Sequence, residues 1–591
     1  MLISDKTRVL SYLCLVVFGV LLTRMVCLSI PSGKKPATQN IITSDRGNIY
    51  DRNGNILATN VKAYNLYVNP SKTVYPEKTI SVILNIFPDL KFAKEFGIIS
   101  EKLKNRDLNG WVLIKKNILE HEKQQIVDHG LEGAFFETST FRYYPHGNLF
   151  SHIVGYTNSD MSGSAGIEKY LNKKLTSPTE NDINIALDAR IQNITRSAIT
   201  EQISEFSAKG GFGIVANMNT GEILASVSLP DFDPNSQINP TSESMRNVIA
   251  SSAMDLGSVF KIFTVAMGVE SGIKKDDSFN VSKPVFVESG FSITDEHGAH
   301  ASMTTSEVLA FSSNVGTALI LEKIGLERQK KFMEDFGLFG SIKIELPAGE
   351  VALPIYKSGK WPKSMHYTAS YGYGVSVSPL KFLEIASGVV NDGIVRPLTL
   401  LKNTDDNAVN GRQIVAKSTS IEMQTMLREV VASGTARRAT VNGYTVCGKT
   451  GTSEKYNFKA RMWEHDKKIT SFFAFFPCNN PQYAIYVGID EPRKTSKMPV
   501  LQGGTVAAPV VGHIIEKIGP ILNVRPDATI DVKSADTKDI ITKTTDNKPD
   551  STGTNPAGAS NANAHAKNES PTKTATQMVM PQPQPDIVEN D

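Results

Sequence analysis

Between about residues 182 and 520, segments typical of β-strands stand at both ends of the region and segments typical of helices lie between them. Two early strands, Phe212–Asn217 and Glu222–Leu229, are rich in β-branched and aromatic residues and are joined by a turn that contains glycine. Three late strands are predicted at Tyr444–Cys447, Thr470–Phe476 and Tyr483–Ile489. This order predicts an α+β domain, in which the early hairpin joins the late strands in one antiparallel sheet that helices cover.

Helix signals are also clear in this region. Hydrophobic periodicity predicts helices at Ile191–Phe206, Val315–Ile324 and Glu327–Phe336. Thr304 and Glu307 have the spacing of a capping box, which begins another helix that ends near Phe311. A short polar break is therefore predicted between this helix and the one that follows it.

The segment Val9–Ile30 is mostly apolar over 22 residues, which matches the roughly 20 needed to cross a bilayer as a helix. Its one charged residue, Arg24, lies toward the far end, where its side chain can reach the interface. A cleaved signal peptide is the alternative, but the apolar stretch is long and no clear small-x-small cleavage pattern follows it. We therefore expect an uncleaved anchor. The basic N-terminus, residues 1–8, would lie in the cytoplasm, and the rest of the chain after the anchor would lie outside.

A turn signal at Asn53-Gly54 predicts a hairpin at the start of an extracytoplasmic domain that spans residues 40–180. No convincing catalytic constellation occurs in this domain. Arg46 and Asp51 could form a site, but a structural salt bridge is the favoured interpretation. Residues 523–591 lack aromatic side chains and are rich in polar residues and proline, which predicts a disordered tail.

The net charge of +3 is small for 591 residues, so a nucleic-acid partner is not indicated. No Cys-x-x-Cys pair or His-rich cluster is present, which argues against a metal site, and no cofactor is expected. Of the four cysteines, two lie in the apolar N-terminus, and the other two, Cys447 and Cys478, lie far along the chain. Whether Cys447 and Cys478 pair stays open at this point.

Ser258 and Lys261 stand three residues apart at a predicted helix start. Because three residues make nearly one helical turn, both side chains lie on one face and the amine can reach the hydroxyl. We interpret Ser258 as a nucleophile and Lys261 as its base. A lysine acts as a base near neutral pH only if its pKa falls from about 10.4 to about 7, a change of roughly 4 to 5 kcal/mol. Since such pairs also arise by chance, the interpretation depends on further motifs.

Two further motifs follow along the chain. Ser312-Ser313-Asn314 lies in the break between two predicted helices, where Ser312 could relay a proton to a leaving amine and Asn314 could orient a peptide. Lys449-Thr450-Gly451-Thr452 follows the predicted strand Tyr444–Cys447. Lys449 could supply a second cation that lowers the pKa of Lys261.

The other residues of the Lys449 motif suit substrate binding. The hydroxyls of Thr450 and Thr452, with the Lys449 amine, could bind a carboxylate. Gly451 would let a ligand approach the backbone closely. The backbone N–H groups of Ser258 and Thr452 are candidates for an oxyanion hole, in which one donor is typically worth about 2.7 to 4 kcal/mol. The alternative, a β-turn in an exposed polar loop, is disfavoured because three motifs agree.

These three motifs, in this order, resemble the class B penicillin-binding proteins. The resemblance extends from the anchor to about Pro520 and includes Arg46-Gly47-x-Ile49-x-Asp51-Arg52-x-Gly54, Gly166-Ile167-Glu168, Gly372-Tyr373-Gly374, Ser378-Pro379-Leu380, Ser433-Gly434-Thr435-Ala436 and Gly503-Gly504-Thr505-Val506-Ala507-Ala508-Pro509. It implies a non-catalytic, dimerisation-type pedestal and then a serine β-lactamase-like transpeptidase domain at 182–520. The family usually has proline where this chain has Leu256, but Gly257 is kept, so we expect the turn to be preserved.

The resemblance also implies a reaction. Ser258 would attack the D-Ala-D-Ala end of a peptidoglycan stem peptide, D-alanine would leave, and an amine from a neighbouring stem would resolve the acyl-enzyme into a cross-link. β-Lactams would acylate the same serine as covalent inhibitors. Ser312-Ser313-Asn314-Val315-Gly316 and Lys449-Thr450-Gly451-Thr452-Ser453-x-Lys455 resemble the cell-division type of the family more than the elongation type.

A cell-division enzyme of this family is expected in the bacterial inner membrane at the septum, with its catalytic domain in the periplasm. Implied partners are an FtsW-type glycan polymerase and other divisome proteins. An elongation-type transpeptidase is the first alternative. A soluble β-lactamase is disfavoured by the anchor and the pedestal, and a β-lactam sensor by the few residues ahead of the anchor. A non-catalytic scaffold would need the loss of a motif residue, and none is lost.

Overall fold

The computed structural model describes residues 46–527, apart from 93, 106–109, 237–240, 289–290, 296–299, 404–409, 458–461 and 497, together with residue 19. The predicted anchor at 9–30, except for Gly19, and the predicted tail from residue 528 onward lie outside the described residues. Among the residues described, no helix has the length and apolar character needed to span a membrane.

The N-terminal part of the chain is built around one long strand. β1 (Ile49–Tyr50) and β2 (Ile56–Val68) form the predicted hairpin. β2 also pairs antiparallel with β3 (Val112–Ile118) and β4 (Ala134–Tyr143), and β1 pairs in parallel with β5 (Ile183–Asn184). The helices of this part are α1 (Pro76–Ile86), α2 (Lys94–Asn105), α3 (Glu120–Asp128), α4 (Ser151–Val154), α5 (Gly166–Tyr170) and α6 (Asn172–Leu175).

Two buried arginines share one buried glutamate in this part. Arg46 donates a hydrogen bond from Nε to Glu168 Oε2 at 2.6 Å, and Arg142 donates from Nε to Glu168 Oε1 at 2.7 Å. All three side chains are at most 2% exposed. Arg46 therefore forms a structural ion pair, but its partner is Glu168 and not Asp51. Asp51 instead accepts hydrogen bonds from the backbone N–H groups of Asn53, Asn55 and Ala189.

The C-terminal part contains the predicted antiparallel sheet. Its five strands are β6 (Gly210–Asn217), β7 (Ile223–Leu229), β17 (Cys447–Asn457), β18 (Met462–Phe476) and β19 (Tyr483–Asp490). The spatial order is β17, β18, β19, β6, β7, so the early hairpin joins the late strands as predicted. The short strands between them are β8 (Met254–Asp255), β9 (Ser278–Phe279), β10 (Val285–Glu288), β11 (Phe291–Ile293), β12 (Met303–Thr304), β13 (Ile355–Tyr356), β14 (Val375–Val377), β15 (Ile394–Val395) and β16 (Arg412–Gln413).

Two strands differ from their predictions. β18 begins at Met462, eight residues before the predicted start at Thr470. The strand expected at Tyr444–Cys447 begins only at Cys447 and continues to Asn457, so Lys449-Thr450-Gly451-Thr452 lies inside the strand and not after it. The prediction was wrong because threonine and valine placed the strand at 445–446, whereas the glycines and lysine that follow have low strand propensity. Pairing with β18, in which Lys449 stands opposite Phe473, holds the motif extended.

The predicted helices are confirmed to within two residues at each end. The helices of the C-terminal part are α7 (Ala189–Glu205), α8 (Val248–Ser251), α9 (Lys261–Glu270), α10 (Thr305–Ala310), α11 (Asn314–Ile324), α12 (Leu326–Phe336), α13 (Lys363–Ser370), α14 (Pro379–Val390), α15 (Lys417–Ala432), α16 (Gly503–Val506) and α17 (Ala508–Ile521). Thr304 and Glu307 form the expected capping box of α10. Local signals were sufficient at these helices because their caps and stop residues lie within a few positions of the helix itself.

Helices cover both faces of the sheet. On one face, Gly213 of β6 leaves room for α7, since a Cβ atom there would lie 2.6 Å from Cδ1 of Ile199. On the opposite face, the ring of Phe382 in α14 packs on Tyr486 and Phe473, with centroid distances of 4.6 and 5.6 Å. This sandwich buries the sheet and fixes the position of β17 at its edge.

Cys447 and Cys478, whose pairing the sequence left open, form a disulfide with their Cα atoms 5.5 Å apart. The bond joins the first residue of β17 to the loop that follows β18. Disulfides persist mainly in oxidising compartments, so this one suits a domain outside the cytoplasm.

β8 leads directly into the segment that carries Ser258. Asp255 of β8 stands opposite Ser376 of β14, and the Ser376 hydroxyl donates a hydrogen bond to Asp255 Oδ1 at 2.7 Å. Burial raises the pKa of Asp255 to about 6, although hydrogen bonds from Ser376 and from the backbone of Gly374 oppose this shift. A carboxyl that resists ionisation therefore lies three residues before the candidate nucleophile.

We expect Glu168→Gln to lower the free energy of unfolding by about 3 to 5 kcal/mol, because two buried guanidinium groups lose their shared counter-charge. Urea denaturation would measure the change. Glu137→Gln is the control, since this exposed glutamate accepts hydrogen bonds only at the surface of β4, and its loss should be below about 0.5 kcal/mol. Equal losses in the two variants would contradict the prediction.

The raised pKa of Asp255 predicts a pH-dependent stability. The unfolded carboxyl ionises near pH 4 and the folded one near pH 6, so stability falls as the pH rises between these values, by about 1 to 3 kcal/mol for this partly exposed residue. Asp255→Asn should remove this fall, so the variant gains on the wild type between about pH 4 and pH 6 in thermal denaturation.

Asp51→Asn is the control for this measurement, because the pKa of Asp51 is shifted in the opposite direction from that of Asp255. Burial raises the pKa of Asp51, but hydrogen bonds from Asn55, Ala189 and Asn53 outweigh it, and the net pKa is lowered. This carboxylate therefore stabilises the fold above its unfolded pKa, and its contribution is lost as the pH falls. Asp51→Asn should thus destabilise the protein at neutral pH, and the same trend in both variants would refute the assignment.

Candidate active site

The candidate nucleophile sits on a tight turn. Residues Gly257–Phe260 form a single 3-10 turn, and α9 begins at Lys261. Gly257 has a φ of 57°, and its N–H donates a hydrogen bond to the Gly372 carbonyl at 3.1 Å. Leu256, in place of the usual proline, is buried and the turn is formed. Ser258 is only partly buried.

The turn packs directly on β17. A Cβ atom at Gly257 would lie 2.4 Å from the carbonyl oxygen of Thr452. On the strand, a Cβ atom at Gly451 would lie 2.9 Å from Cγ1 of Val259 and 2.7 Å from Oγ of Ser471. Gly257 is therefore required by the close approach of the turn to the main chain of Thr452, and Gly451 by the side chains of Val259 and Ser471 that pack against it. This approach brings the backbone of the Ser258 turn beside that of Thr452, where the oxyanion hole was predicted.

Lys261 is fully buried and its amine contacts the second motif. Nζ donates hydrogen bonds to the Ser312 carbonyl at 2.5 Å, to Ser312 Oγ at 3.2 Å and to Asn314 Oδ1 at 2.6 Å. The structure thus brings the first and second motifs together around one amine. Three acceptors match the three N–H groups of an ammonium.

The backbone of the second motif is shaped for this contact. Ser312 has a φ of 62°, which is uncommon for a residue other than glycine and is often found at functional sites. Ser313 caps α11, because its hydroxyl accepts a hydrogen bond from the Gly316 N–H at 2.7 Å. Asn314 is the first residue of that helix, so the motif lies between α10 and α11 as predicted.

Lys449 is also fully buried, on β17. Its amine donates a hydrogen bond to the Thr450 carbonyl at 3.1 Å. The hydroxyl of Thr450 lies 2.7 Å from that of Thr435, and the Thr452 hydroxyl accepts a hydrogen bond from the Gly503 N–H at 3.2 Å. The Thr450 hydroxyl is therefore held by a segment that precedes β17, and the Thr452 hydroxyl by a segment that follows it.

Lys449 and Lys261 are close enough for their charges to interact. Burial, and then the positive charge of Lys261, lower the pKa of Lys449 well below its usual value. The expected effect of Lys449 on the pKa of Lys261 stays a prediction. The Lys261 amine itself has three hydrogen-bond acceptors, on Ser312 and Asn314.

Three contributors to this site were missed in the sequence. Asp295 accepts hydrogen bonds from Ser313 and Asn314, Thr435 contacts Thr450, and Gly503 donates to Thr452. Thr435 and Gly503 belong to segments that resemble the family, but no role was predicted for either residue. No sequence motif marks Asp295 as a site residue. Among the described residues, no group of three His, Cys, Asp or Glu side chains is arranged to hold a metal ion.

Comparison with known families matches two models to the chain. The penicillin-binding protein transpeptidase domain matches residues 211–516, and the penicillin-binding protein dimerisation domain matches residues 41–203. The probable peptidoglycan D,D-transpeptidase FtsI of Caulobacter vibrioides is 32% identical over 541 residues, which cover 88% of this chain and 90% of the relative. Stage V sporulation protein D of Bacillus subtilis is 29% identical over 532 residues, covering 82% and 79% respectively.

A solved structure shares the fold. Penicillin-binding protein 3 of Mycobacterium tuberculosis, complexed with aztreonam, superposes with a TM-score of 0.64 at 23% identity, covering 82% of this chain and 98% of that one. The family models span both parts of the chain, and the relative from Caulobacter spans most of it. The chain therefore belongs to the class B penicillin-binding proteins, the peptidoglycan D,D-transpeptidase family that includes FtsI.

Proposed function

We propose that this protein cross-links peptidoglycan stem peptides during septum synthesis, with Ser258 as its nucleophile. The observation that carries the proposal is the buried amine of Lys261, hydrogen-bonded to Ser312 and Asn314 and three residues from Ser258. In this proposal, residues 40–180 form a non-catalytic pedestal and residues 182–520 form the transpeptidase domain. The two matched family models support this order of domains, with the dimerisation model extending to residue 203 and the transpeptidase model beginning at residue 211.

Acylation follows from the assigned roles. Ser258 Oγ attacks the carbonyl carbon of the penultimate D-alanine while Lys261 Nζ accepts the hydroxyl proton. The N–H groups of Ser258 and Thr452 stabilise the oxyanion. Ser312 then relays this proton from Lys261 Nζ to the amine of the terminal D-alanine, and the bond between that amine and the carbonyl carbon breaks, which leaves the acyl group on Ser258. An amine of a second stem attacks the acyl-enzyme, forms the new amide and returns Ser258 as a hydroxyl.

In this proposal, Lys449 acts when the substrate binds. With Thr450 and Thr452 it binds the carboxylate of the terminal D-alanine, and this negative charge favours the protonated amine. The new positive charge near Lys261 then favours loss of a proton from Lys261. Binding of the carboxylate at Lys449 thus prepares Lys261 to act as the base. The mutual influence of the two amines supports this step.

Location and partners follow from the same proposal. The enzyme is anchored in the inner membrane by residues 9–30, with its catalytic domain in the periplasm at the division septum, and it works with an FtsW-type glycan polymerase and other divisome proteins. The resemblance of the Ser312 and Lys449 motifs to the cell-division type, and the similarity to an FtsI relative, support the septal role.

We expect the purified protein to form a one-to-one covalent adduct with a penicillin, and Ser258→Ala to reduce adduct formation by more than about 1,000-fold, because no other group supplies the attacking oxygen. Intact-protein mass spectrometry measures the adduct. Ser271→Ala is the control, since this serine caps the other end of α9 and its hydroxyl donates a hydrogen bond to the Met267 carbonyl there. Labelling that survives in Ser258→Ala would disprove the assignment.

Depletion of the protein in its host should give long filaments without septa, because septal cross-linking stops while elongation continues. Microscopy with a fluorescent D-amino acid checks this outcome. Round cells that still form normal septa would reject the septal role in favour of the elongation-type alternative. Restoration by the wild type but not by Ser258→Ala would assign the effect to the reaction itself.

A further inference from the structure

Asp295 belongs to none of the three motifs, yet both of its carboxylate oxygens bind the second one. It lies shortly after β11. Oδ2 accepts a hydrogen bond from the Ser313 hydroxyl at 2.6 Å. Oδ1 accepts hydrogen bonds from the backbone N–H groups of Asn314 at 2.6 Å and Val315 at 3.0 Å. One carboxylate therefore fixes three consecutive residues.

The charge of Asp295 suits this position. α11 begins at Asn314, and the N–H groups of its first turn have no partner within the helix. These groups carry partial positive charge, which favours a carboxylate at the helix start. The contact therefore holds the beginning of α11 in one place relative to the segment that follows β11.

The residue just before this contact is strained. Ser312 has a φ of 62°, and such a conformation persists in a residue other than glycine only where its surroundings hold it. Asp295 supplies this hold on the side of Ser313 and Asn314. The Ser312 carbonyl and hydroxyl are consequently kept facing Lys261 Nζ.

The same segment also orients the Asn314 amide. Asn314 Nδ2 donates a hydrogen bond to the Thr294 carbonyl at 3.5 Å, whereas Oδ1 accepts from Lys261 Nζ at 2.6 Å. If the Asn314 amide were rotated by 180°, its Nδ2 donor would face the Lys261 Nζ donor, which is unfavourable. Thr294 and Asp295 together therefore determine both the backbone and the side chain of Asn314.

We propose that Asp295 is a positioning residue for the transpeptidase reaction, which acts through Ser312 and Asn314 on the orientation of Lys261. Asp295 makes no proton transfer itself. The proposal rests on the proposed role of Lys261 as the base. It adds that the geometry of this base depends on a carboxylate outside the three motifs.

The test compares Asp295→Asn with the wild type, both as full chains in detergent, in their reaction with a fluorescent penicillin. Stopped-flow measurements separate the dissociation constant of the initial complex from the saturating acylation rate constant. We expect the acylation rate constant to fall by about tenfold or more, because the base is misplaced, while the dissociation constant changes by less than about threefold. A wild-type acylation rate in Asp295→Asn would overturn the proposal.

Glu307→Gln is the matched control. Glu307 is the carboxylate that caps the neighbouring helix α10, and its side chain accepts hydrogen bonds from the N–H and hydroxyl of Thr304. We expect it to lower the melting temperature as much as Asp295→Asn does, but to leave the acylation rate constant unchanged. An equal slowing of acylation in both variants would mean that Asp295 has only a structural role.

A double-mutant cycle tests the route of the effect. If Asp295 acts partly through the Asn314 side chain, then Asp295→Asn should slow acylation by a smaller factor in the Asn314→Ala background than in the wild type. Multiplicative losses would overturn this route. If Asp295→Asn does not fold, Asp295→Glu carries the test, because it keeps the charge and displaces the oxygens by one methylene, and a wild-type rate would again refute the proposal.

The outcomes also separate this inference from the proposed function. A wild-type chain that forms no adduct at Ser258 would reject the proposed function itself. A normal adduct in the wild type, together with unchanged acylation in the Asp295 variants, would reject only the positioning role of Asp295.

Discussion

The turn that carries Ser258 packs on β17 backbone against backbone, and the candidate active site depends on this contact. A Cβ atom at Gly257 would lie 2.4 Å from the Thr452 carbonyl oxygen, and one at Gly503 would lie 2.5 Å from the Gly451 carbonyl oxygen. Three segments far apart in the sequence thus meet without side chains between them. A contact between two main chains cannot relax by a change of side-chain rotamer. The distance between these segments is therefore fixed more rigidly than a contact between side chains would fix it.

Two lysine amines are buried inside this rigid frame, and burial of a charged amine is costly unless acceptors surround it. Lys261 has such acceptors on Ser312 and Asn314, whereas the Lys449 amine bonds the carbonyl of Thr450. Burial, and then the neighbouring charge of Lys261, lower the pKa of Lys449. In the proposed function, the carboxylate of the substrate opposes this lowering when it binds.

Features set by nearby residues could be predicted from the sequence, and features set by distant partners could not. The capping box at Thr304 is of the first kind. The ion pair of Arg46 with Glu168 joins residues 122 positions apart, so the nearer Asp51 was the natural but wrong choice. The contact of Asp295 with the second motif was likewise invisible, since an isolated aspartate has no pattern that reveals its partner.

The pairing of β1 with β5 has a mechanical consequence. These strands lie side by side in parallel, and the Arg52 N–H donates a hydrogen bond to the Leu187 carbonyl at 2.9 Å. The start of the described chain is thus fastened to the point where the chain enters the C-terminal part. Force between these two points is therefore carried by backbone hydrogen bonds of paired strands, and the ion pair of Arg46 with Glu168 reinforces the same region.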